Sequence, residues 1–400
     1  MAVAYGADAV YLGGSAFSMR RSAGGFAGRE LAQAVGYAHA SGVRVYLTAN
    51  TLPRCDELAA LPGFFEQAAQ AGVDALIVSD LGVLECARRY APGVELHVST
   101  QAGVVNDAAA RALYDLGARR VILARELSLR EIRLIRERTP SGLAVETFVH
   151  GAMCVSFSGR CLLSDYLAAR DANRGDCAQP CRWRYALVEE RRPGAFFPVC
   201  EDERGTTILN ARDLCMIGHL PELAQVGIDS FKIEGRAKSA YYVAAVTNAY
   251  RLALDAPAAS AADTARLERE LRKVAGRGYC TGFYFGPVRG GQVYGEEQRG
   301  EWEFTAVIRS AVIRSAVVQS DAGRDVPDGC VGIEARASFA EGEEAELLEP
   351  GALGMPLRIG RLYDGRGARL RRAARPGECL LMESGRPIAP YAVLRRPCRP

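Results

Sequence analysis

Seven times before residue 236 the chain repeats one short unit: a helical stretch, a glycine, then an apolar run of the β type. The copies read YGADAVYLGG at Gly6, SGVRVYLTAN at Gly42, AGVDALIVSD at Gly72, PGVELHVSTQ at Gly93, LGARRVILAR at Gly117, SGLAVETFVH at Gly142 and VGIDSFKIEG at Gly227. Glycine suits the position after a helix because it enters the left-handed conformation without a Cβ clash. The runs that follow are short, apolar and β-branched, as strands buried on both faces are. Amphipathic stretches such as Glu30–Ala40 and Leu127–Arg138 lie between them. Such repetition over roughly 240 residues predicts an α/β fold, a TIM-type (β/α) barrel. An open doubly wound sheet is the rival, but no GxGxxG phosphate loop follows the first run. Thr206–Asn210 is a further candidate strand, which brings the count to eight.

The pattern changes along the chain. After the repeats come helical stretches at Ala240–Leu254 and Thr264–Val274, with DAPAASAAD between them reading as a linker. From about Gly300, alternating runs at Phe304–Val318, Glu344–Leu348, Leu357–Leu362 and Glu378–Met382 are separated by Gly, Pro and Asp. That is the mark of a small all-β, barrel-like domain. The expected organisation is a barrel at 1–254 with a cysteine-rich insertion at 154–204, a linker and helical connection at 255–298, and the β domain at 299–400. Hydrophobic and charged fractions of 49% and 24% are those of a soluble globular protein, with no apolar run long enough for a membrane span. The start of the chain lacks a signal-type pattern, so a reducing cytoplasm is expected, where 12 cysteines seldom mean disulfides. A net charge of +3 does not by itself point to a nucleic-acid partner.

In a barrel of this type the reactive groups sit at the carboxyl ends of the strands. Reading those ends yields Asn50, Asp80, Ser99, Gln101, Arg125, Glu126, His150, Lys232, Glu234 and Arg236. Strand alternation puts Glu146, Phe148 and His150 on one face, and Lys232 with Glu234 on another. Among these, His150, Glu146, Lys232 and Glu234 are the catalytic candidates. Asn50, Asp80, Gln101, Arg125 and Arg236 are the substrate-binding candidates, a set suited to a small anionic metabolite. Each of them has a plain structural alternative, as a helix cap or half of an ion pair.

Half of the cysteines fall between Cys154 and Cys215, at Cys154, Cys161, Cys177, Cys181, Cys200 and Cys215. No C-x2-C pair is present, which argues against a zinc ribbon. Widely spaced thiols on loops of one barrel face suit an iron–sulfur cluster; zinc and unliganded thiols are the alternatives.

The stretch ETFVHGAMCVSFSGRCLLS at Glu146–Ser164, then GDCAQPCRW, LNARDLCMI and FKIEGRAKSAYYV, closely resembles the peptidase U-32 family, the collagenase-like family of unknown catalytic type. AVYLGGSAFSMR, YLTANTLP, ALIVSDLGV and HVSTQAGVVN extend the resemblance to about Gly286. EEAELLEPG and the segment through APYAVLRR resemble the β domain of the members that hydroxylate tRNA. The resemblance implies a TIM-like barrel and a 4Fe–4S cluster held by four cysteines. The matching positions are Cys154, Cys161, Cys177 and Cys215, with Cys181 as the alternative ligand. It also implies oxygen-independent hydroxylation of a tRNA wobble uridine with prephenate as co-substrate. The alternatives within the family are an rRNA cytidine, a ubiquinone precursor, or a collagenase-like peptidase activity. Family members begin with a strand and helix ahead of YGADAVYLGG, so the first barrel strand is expected to be missing here.

Three functions compete. An RNA hydroxylase would hold tRNA, or rRNA, on basic surface such as Arg358, Arg361, Arg366, Arg369, Arg371, Arg372 and Arg375. A peptidase finds little support, since HExxH and GxSxG are both absent and only a Cys154–His150 pair is conceivable. A non-catalytic role beside a paralogous protein partner is the third.

Overall fold

The computed structural model describes residues 1–19, 24–154, 156–157, 160–182, 186–188, 196–198, 200–202, 205–207, 210–256, 260–274, 278–286, 292–293, 301–313, 329–365 and 367–398. It forms two compact units. One comprises Asp8–Ala237 and Arg277–Glu297; the other comprises Met1–Ala7, Lys238–Gly276 and Gln298–Pro400. The helical stretch at 240–254, read from sequence as the end of the first domain, thus packs in the unit that carries the C-terminal strands.

The first unit is built on a parallel sheet. Strands β1 (Ala9–Gly13), β2 (Arg44–Ala49), β3 (Ala75–Val78), β4 (Glu95–Val98), β5 (Arg120–Ile122) and β6 (Ala144–Gly151) pair in chain order, each parallel to the last. Helices α1 (Gly28–His39), α2 (Leu61–Gln70), α3 (Leu81–Tyr90), α4 (Asp107–Asp115) and α5 (Leu129–Arg138) connect them. Their apolar stripes supply buried Leu31, Val35, Phe65, Leu84, Ile132 and Ile135. Beyond β6 come α6 (Leu163–Ala168) and the antiparallel pairs β7 (Ala186–Val188) with β8 (Phe196–Pro198) and β9 (Cys200–Asp202) with β10 (Gly205–Thr207). Then follow β11 (Asn210–Ala211), β12 (Asp213–Cys215), α7 (Leu220–Gln225) and β13 (Ser230–Ile233). β13 runs parallel to β6, Ser230 opposite Glu146 and Lys232 opposite Phe148. β12 lies antiparallel to the end of β6, Cys215 opposite His150, and pairs with β14 (Tyr279–Cys280).

All seven glycine-led units therefore become strands of one sheet. Gly6, Gly42, Gly72, Gly117 and Gly227 take positive φ, while Gly93 and Gly142 are not among the positive-φ residues. The eighth candidate, Thr206–Asn210, is corrected: its described residues pair outside the large sheet, with β9 and with β15 (Gln292–Val293). Ile208 and Leu209 lie outside the described residues. Among the described residues no ladder joins β13 to β1, so the sheet, parallel but for β12, stays open there between two edges, where the expected barrel lacks its first strand. Those edges nonetheless face each other through side chains, the Lys232 ammonium lying 4.5 Å from the centre of the Tyr11 ring.

The second unit holds α8 (Ala240–Asp255), α9 (Ala261–Arg272) and an antiparallel sheet of seven strands. These are β16 (Trp302–Ile313), β17 (Cys330–Ala335), β18 (Glu344–Leu348), β19 (Met355–Arg358), β20 (Leu362–Tyr363), β21 (Cys379–Glu383) and β22 (Val393–Pro397), ordered β19-β18-β22-β16-β17-β21-β20. Ile308, Val331, Ile333, Leu347, Met382 and Leu394 are in its core. The run expected at Leu357–Leu362 is two strands, and β17 and β22 went unread. Residues 314–318 of the expected run Phe304–Val318, and the middle of the DAPAASAAD linker, lie outside the described residues.

Candidate functional site

Two side-chain layers fill the space inside the parallel sheet. Alternation on β5, β6 and β13 puts Arg120, Glu146 and Ser230 in a lower layer, and Ile122, Phe148 and Lys232 above them. The lower layer is a buried charge network. Glu146 accepts from Arg120 Nη1 at 2.8 Å, Ser230 Oγ at 2.9 Å and Lys232 Nζ at 2.8 Å. Burial works to raise the pKa of Glu146, but the Lys232 and Arg120 charges outweigh it and hold the carboxyl at about 2. Beside it, burial lowers the pKa of His97 to about 4, with the Arg120 charge acting in the same direction. The His97 ring meets Tyr46 edge-on at 4.6 Å.

Above this layer a cavity of about 140 Å³ opens at the carboxyl ends of the strands. Tyr11, Thr48, Ile77, Ile122, Phe148 and Lys232 form its floor; Asn50, Gln101, Arg125, Glu126, Glu234 and Arg236 rise from the loops. Arg125 lies 3.8 Å over the Phe148 ring, donates to the Ala152 carbonyl at 2.7 Å and faces Glu234 at 3.8 Å. Arg236 donates to Ser18 Oγ, to Thr48 Oγ1 at 3.4 Å and to the Gly24 carbonyl at 2.9 Å. Asn50 accepts from the Met19 amide at 3.3 Å.

Gly13 on β1 makes room for Arg236. A Cβ there would sit 1.6 Å from Nη2 of that guanidinium. Gly13→Ala is therefore expected to push Arg236 off Ser18 and Thr48, lowering stability by about 1–2 kcal/mol through the lost hydrogen bonds. A thermal melt checks this; an unchanged melt would show that the guanidinium is not held there.

The expected site residues thus divide. Asn50, Gln101, Arg125, Lys232, Glu234 and Arg236 converge on one cavity. Asp80 caps α3 through the Val83 amide at 3.1 Å and is not part of the lining. Glu146, a catalytic candidate from sequence, is not part of the cavity lining and serves instead as the buried counter-ion of Arg120 and Lys232. His150 is buried against Tyr279, its ring 5.1 Å away, because β12 covers that end of β6. Sequence reading missed Arg120 and Ser230, the partners of Glu146; a charged residue opening a buried strand was the available signal for Arg120.

Cys154, Cys161, Cys177 and Cys181 all line the same cavity. The Leu163 amide donates to Cys161 Sγ at 3.4 Å, and the Gln179 amide to Cys177 Sγ at 3.3 Å. Cys215 stands on β12, half-buried and outside the lining. Among the described residues no three His, Cys, Asp or Glu side chains are grouped closely enough to hold a single metal ion. Four thiols lining one cavity are nonetheless a soft donor set.

The arginine-rich surface of the second unit is less cationic than its sequence suggests. Arg361 faces Glu383 at 3.6 Å, Arg369 faces Glu341 at 3.0 Å and Arg372 faces Glu378 at 2.6 Å. Arg366 lies outside the described residues. No helix among the described residues is long and apolar enough to cross a membrane.

The profile of peptidase family U32 matches residues 1–292. The chain belongs to peptidase family U32. The match spans every strand of the parallel sheet and all four cavity cysteines. This U32 chain is 46% identical over 293 residues to an uncharacterized protease of Methanocaldococcus jannaschii, covering 71% of this chain and 69% of that protein. It is 33% identical over 401 residues to tRNA hydroxylation protein P1 of Bacillus subtilis, covering 99% of this chain and 91% of that protein. It is 38% identical over 322 residues to tRNA hydroxylation protein P of Escherichia coli, covering 70% and 71%.

Proposed function

We propose that this U32 chain hydroxylates RNA without molecular oxygen, on a tRNA wobble uridine, with a 4Fe–4S cluster and prephenate as co-substrate. The observation that carries the reading is the match to the Bacillus tRNA hydroxylation protein, because it runs through both units of this chain rather than the parallel sheet alone. The parallel sheet is read as a TIM-type barrel short of one strand between β13 and β1. The cytoplasm is the compartment this substrate implies.

The side chains fit such a role. Lys232, Arg125 and Arg236 bring three cationic groups to a cavity that also holds the amides of Asn50 and Gln101. This set binds and orients a small carboxylate, while Tyr11 and Phe148 supply an apolar wall for its ring. Glu146 pairs with the Lys232 ammonium at 2.8 Å and so holds it at the cavity floor. Cys154, Cys161 and Cys177 belong to the implied ligand set, and the two N–H···S contacts suit thiolates bonded to iron. Cavity position favours Cys181 as the fourth ligand; the family motif favours Cys215. When bound, the cluster would supply electrons or a site for an oxygen-bearing donor.

A thiol peptidase built on Cys154 and His150 draws no support from this geometry, since Cys154 lines the cavity and His150 does not. The test is anaerobic purification with visible absorption and iron and sulfide assays. About four of each per chain are expected, falling sharply in Cys161→Ser. A colourless protein carrying zinc would overturn the cluster. Nucleoside analysis of a deletion strain should show wobble uridine without its hydroxyl; an unchanged nucleoside pool would overturn the tRNA assignment.

A further inference from the structure

In the segment that carries three of the cavity thiols, one side chain holds the backbone of a cysteine. Asn173 accepts from the Cys161 amide through Oδ1 at 3.2 Å and donates to the Cys161 carbonyl through Nδ2 at 3.1 Å. A single carboxamide thereby satisfies both backbone groups of one cysteine, as a neighbouring strand would. Asn173 is itself anchored. Its amide donates to Asp171 Oδ1 at 2.9 Å, and its carbonyl accepts from the Leu52 amide at 3.1 Å, in the loop after β2. The next residue repeats the attachment: Arg174 pairs with Glu57 of the same loop at 2.8 Å.

With both backbone groups of Cys161 held, its sulfur is left to the cavity and to the Leu163 amide. A free backbone at Cys161 would let the thiol turn away, since Cys161 lies in neither helix nor strand. Rotational freedom of a ligand-bearing residue is lost on metal binding, so a residue pre-held in place binds more tightly.

We infer that Asn173 is a positioning residue for the Cys161 thiol, tying it to the loop after β2 that also carries Asn50. The inference rests on the thiol-held cluster proposed above. Its test separates the two. In wild-type protein, iron and sulfide content alone decides the cluster. In iron-free protein, alkylation of individual cysteines followed by mass spectrometry reads the positioning. Asn173→Ala should raise the alkylation rate of Cys161 relative to Cys177 severalfold. In iron-loaded protein the same variant should lose iron to a chelator about 10- to 100-fold faster than wild type. Asn173→Asp keeps the acceptor for the Cys161 amide but loses the donor, so it should fall between the two. It also carries the test if the alanine variant does not fold. A variant whose Cys161-to-Cys177 alkylation ratio matches wild type, or whose chelator kinetics are unchanged while wild type holds iron, overturns the inference. A merely structural role would lower the melting temperature without moving that ratio.

Discussion

Glu146→Gln is expected to destabilise the first unit by about 3–5 kcal/mol, the usual cost of removing one partner from a buried ion network. The glutamine would keep the shape but leave Arg120 and Lys232, each about one-tenth exposed, without their shared anion. The pH dependence gives a second signature. The folded-state pKa of Glu146 is depressed, from 4.5 to about 2. Its contribution is therefore fully present above about pH 4.5 and is lost as pH falls toward 2. The gap between wild type and variant should stay constant from pH 8 to 5 and close below 4.5. Urea melts across that range check it. A gap that persists undiminished in acid would mean that glutamine disrupts packing and that charge is not the cause. Lys232→Met in the same background should recover part of the loss, because it removes one of the two stranded cations.

Arg395→Met should be nearly as costly in the second unit, at about 3 kcal/mol. Arg395 is fully buried on β22 and reaches Glu270 of α9 and Glu346 of β18, the latter at 2.8 Å. Lys273 faces the same two carboxylates, at 2.8 Å and 2.7 Å, which is why the loss is placed at the lower end of the range for a buried pair. Burial works to raise the pKa of Glu270, and the Arg395 and Lys273 charges overcome it, so the group is depressed. Stability from this group is present above the ordinary carboxylate range and fades as pH falls below it. The penalty of Arg395→Met should shrink in the same direction. Thermal melts of wild type and variant at pH 7 and pH 4 read it directly, and a penalty larger at pH 4 would contradict the electrostatic account.

Much of the site was legible before any coordinates. The strand-end rule places reactive groups where a parallel sheet delivers them, and Asn50, Gln101, Arg125, Lys232, Glu234 and Arg236 meet in one cavity. The rule failed where a neighbour not visible in the local pattern intervened. His150 sits at a strand end, but β12 folds back across it. Asp80 also sits at a strand end, yet the helix that begins at the next residue takes its carboxylate as a cap. Glu146, chosen by strand alternation and not by strand end, lies two residues before Phe148 and outside the cavity lining.

Periodicity, glycine placement and residue type determined by themselves that this chain builds a parallel α/β sheet, a separate antiparallel sheet and a thiol-rich segment between strands of the first. Those properties are local: a helix end, a buried strand and a cysteine each declare themselves within a few residues. Only the tertiary structure decided that Glu146 is a counter-ion, that Asn173 grips Cys161 and that Arg395 joins α9 to β18. Each of those depends on charges or hydrogen-bonding groups brought together from distant parts of the chain, and a buried charge acquires its role from the partners that surround it.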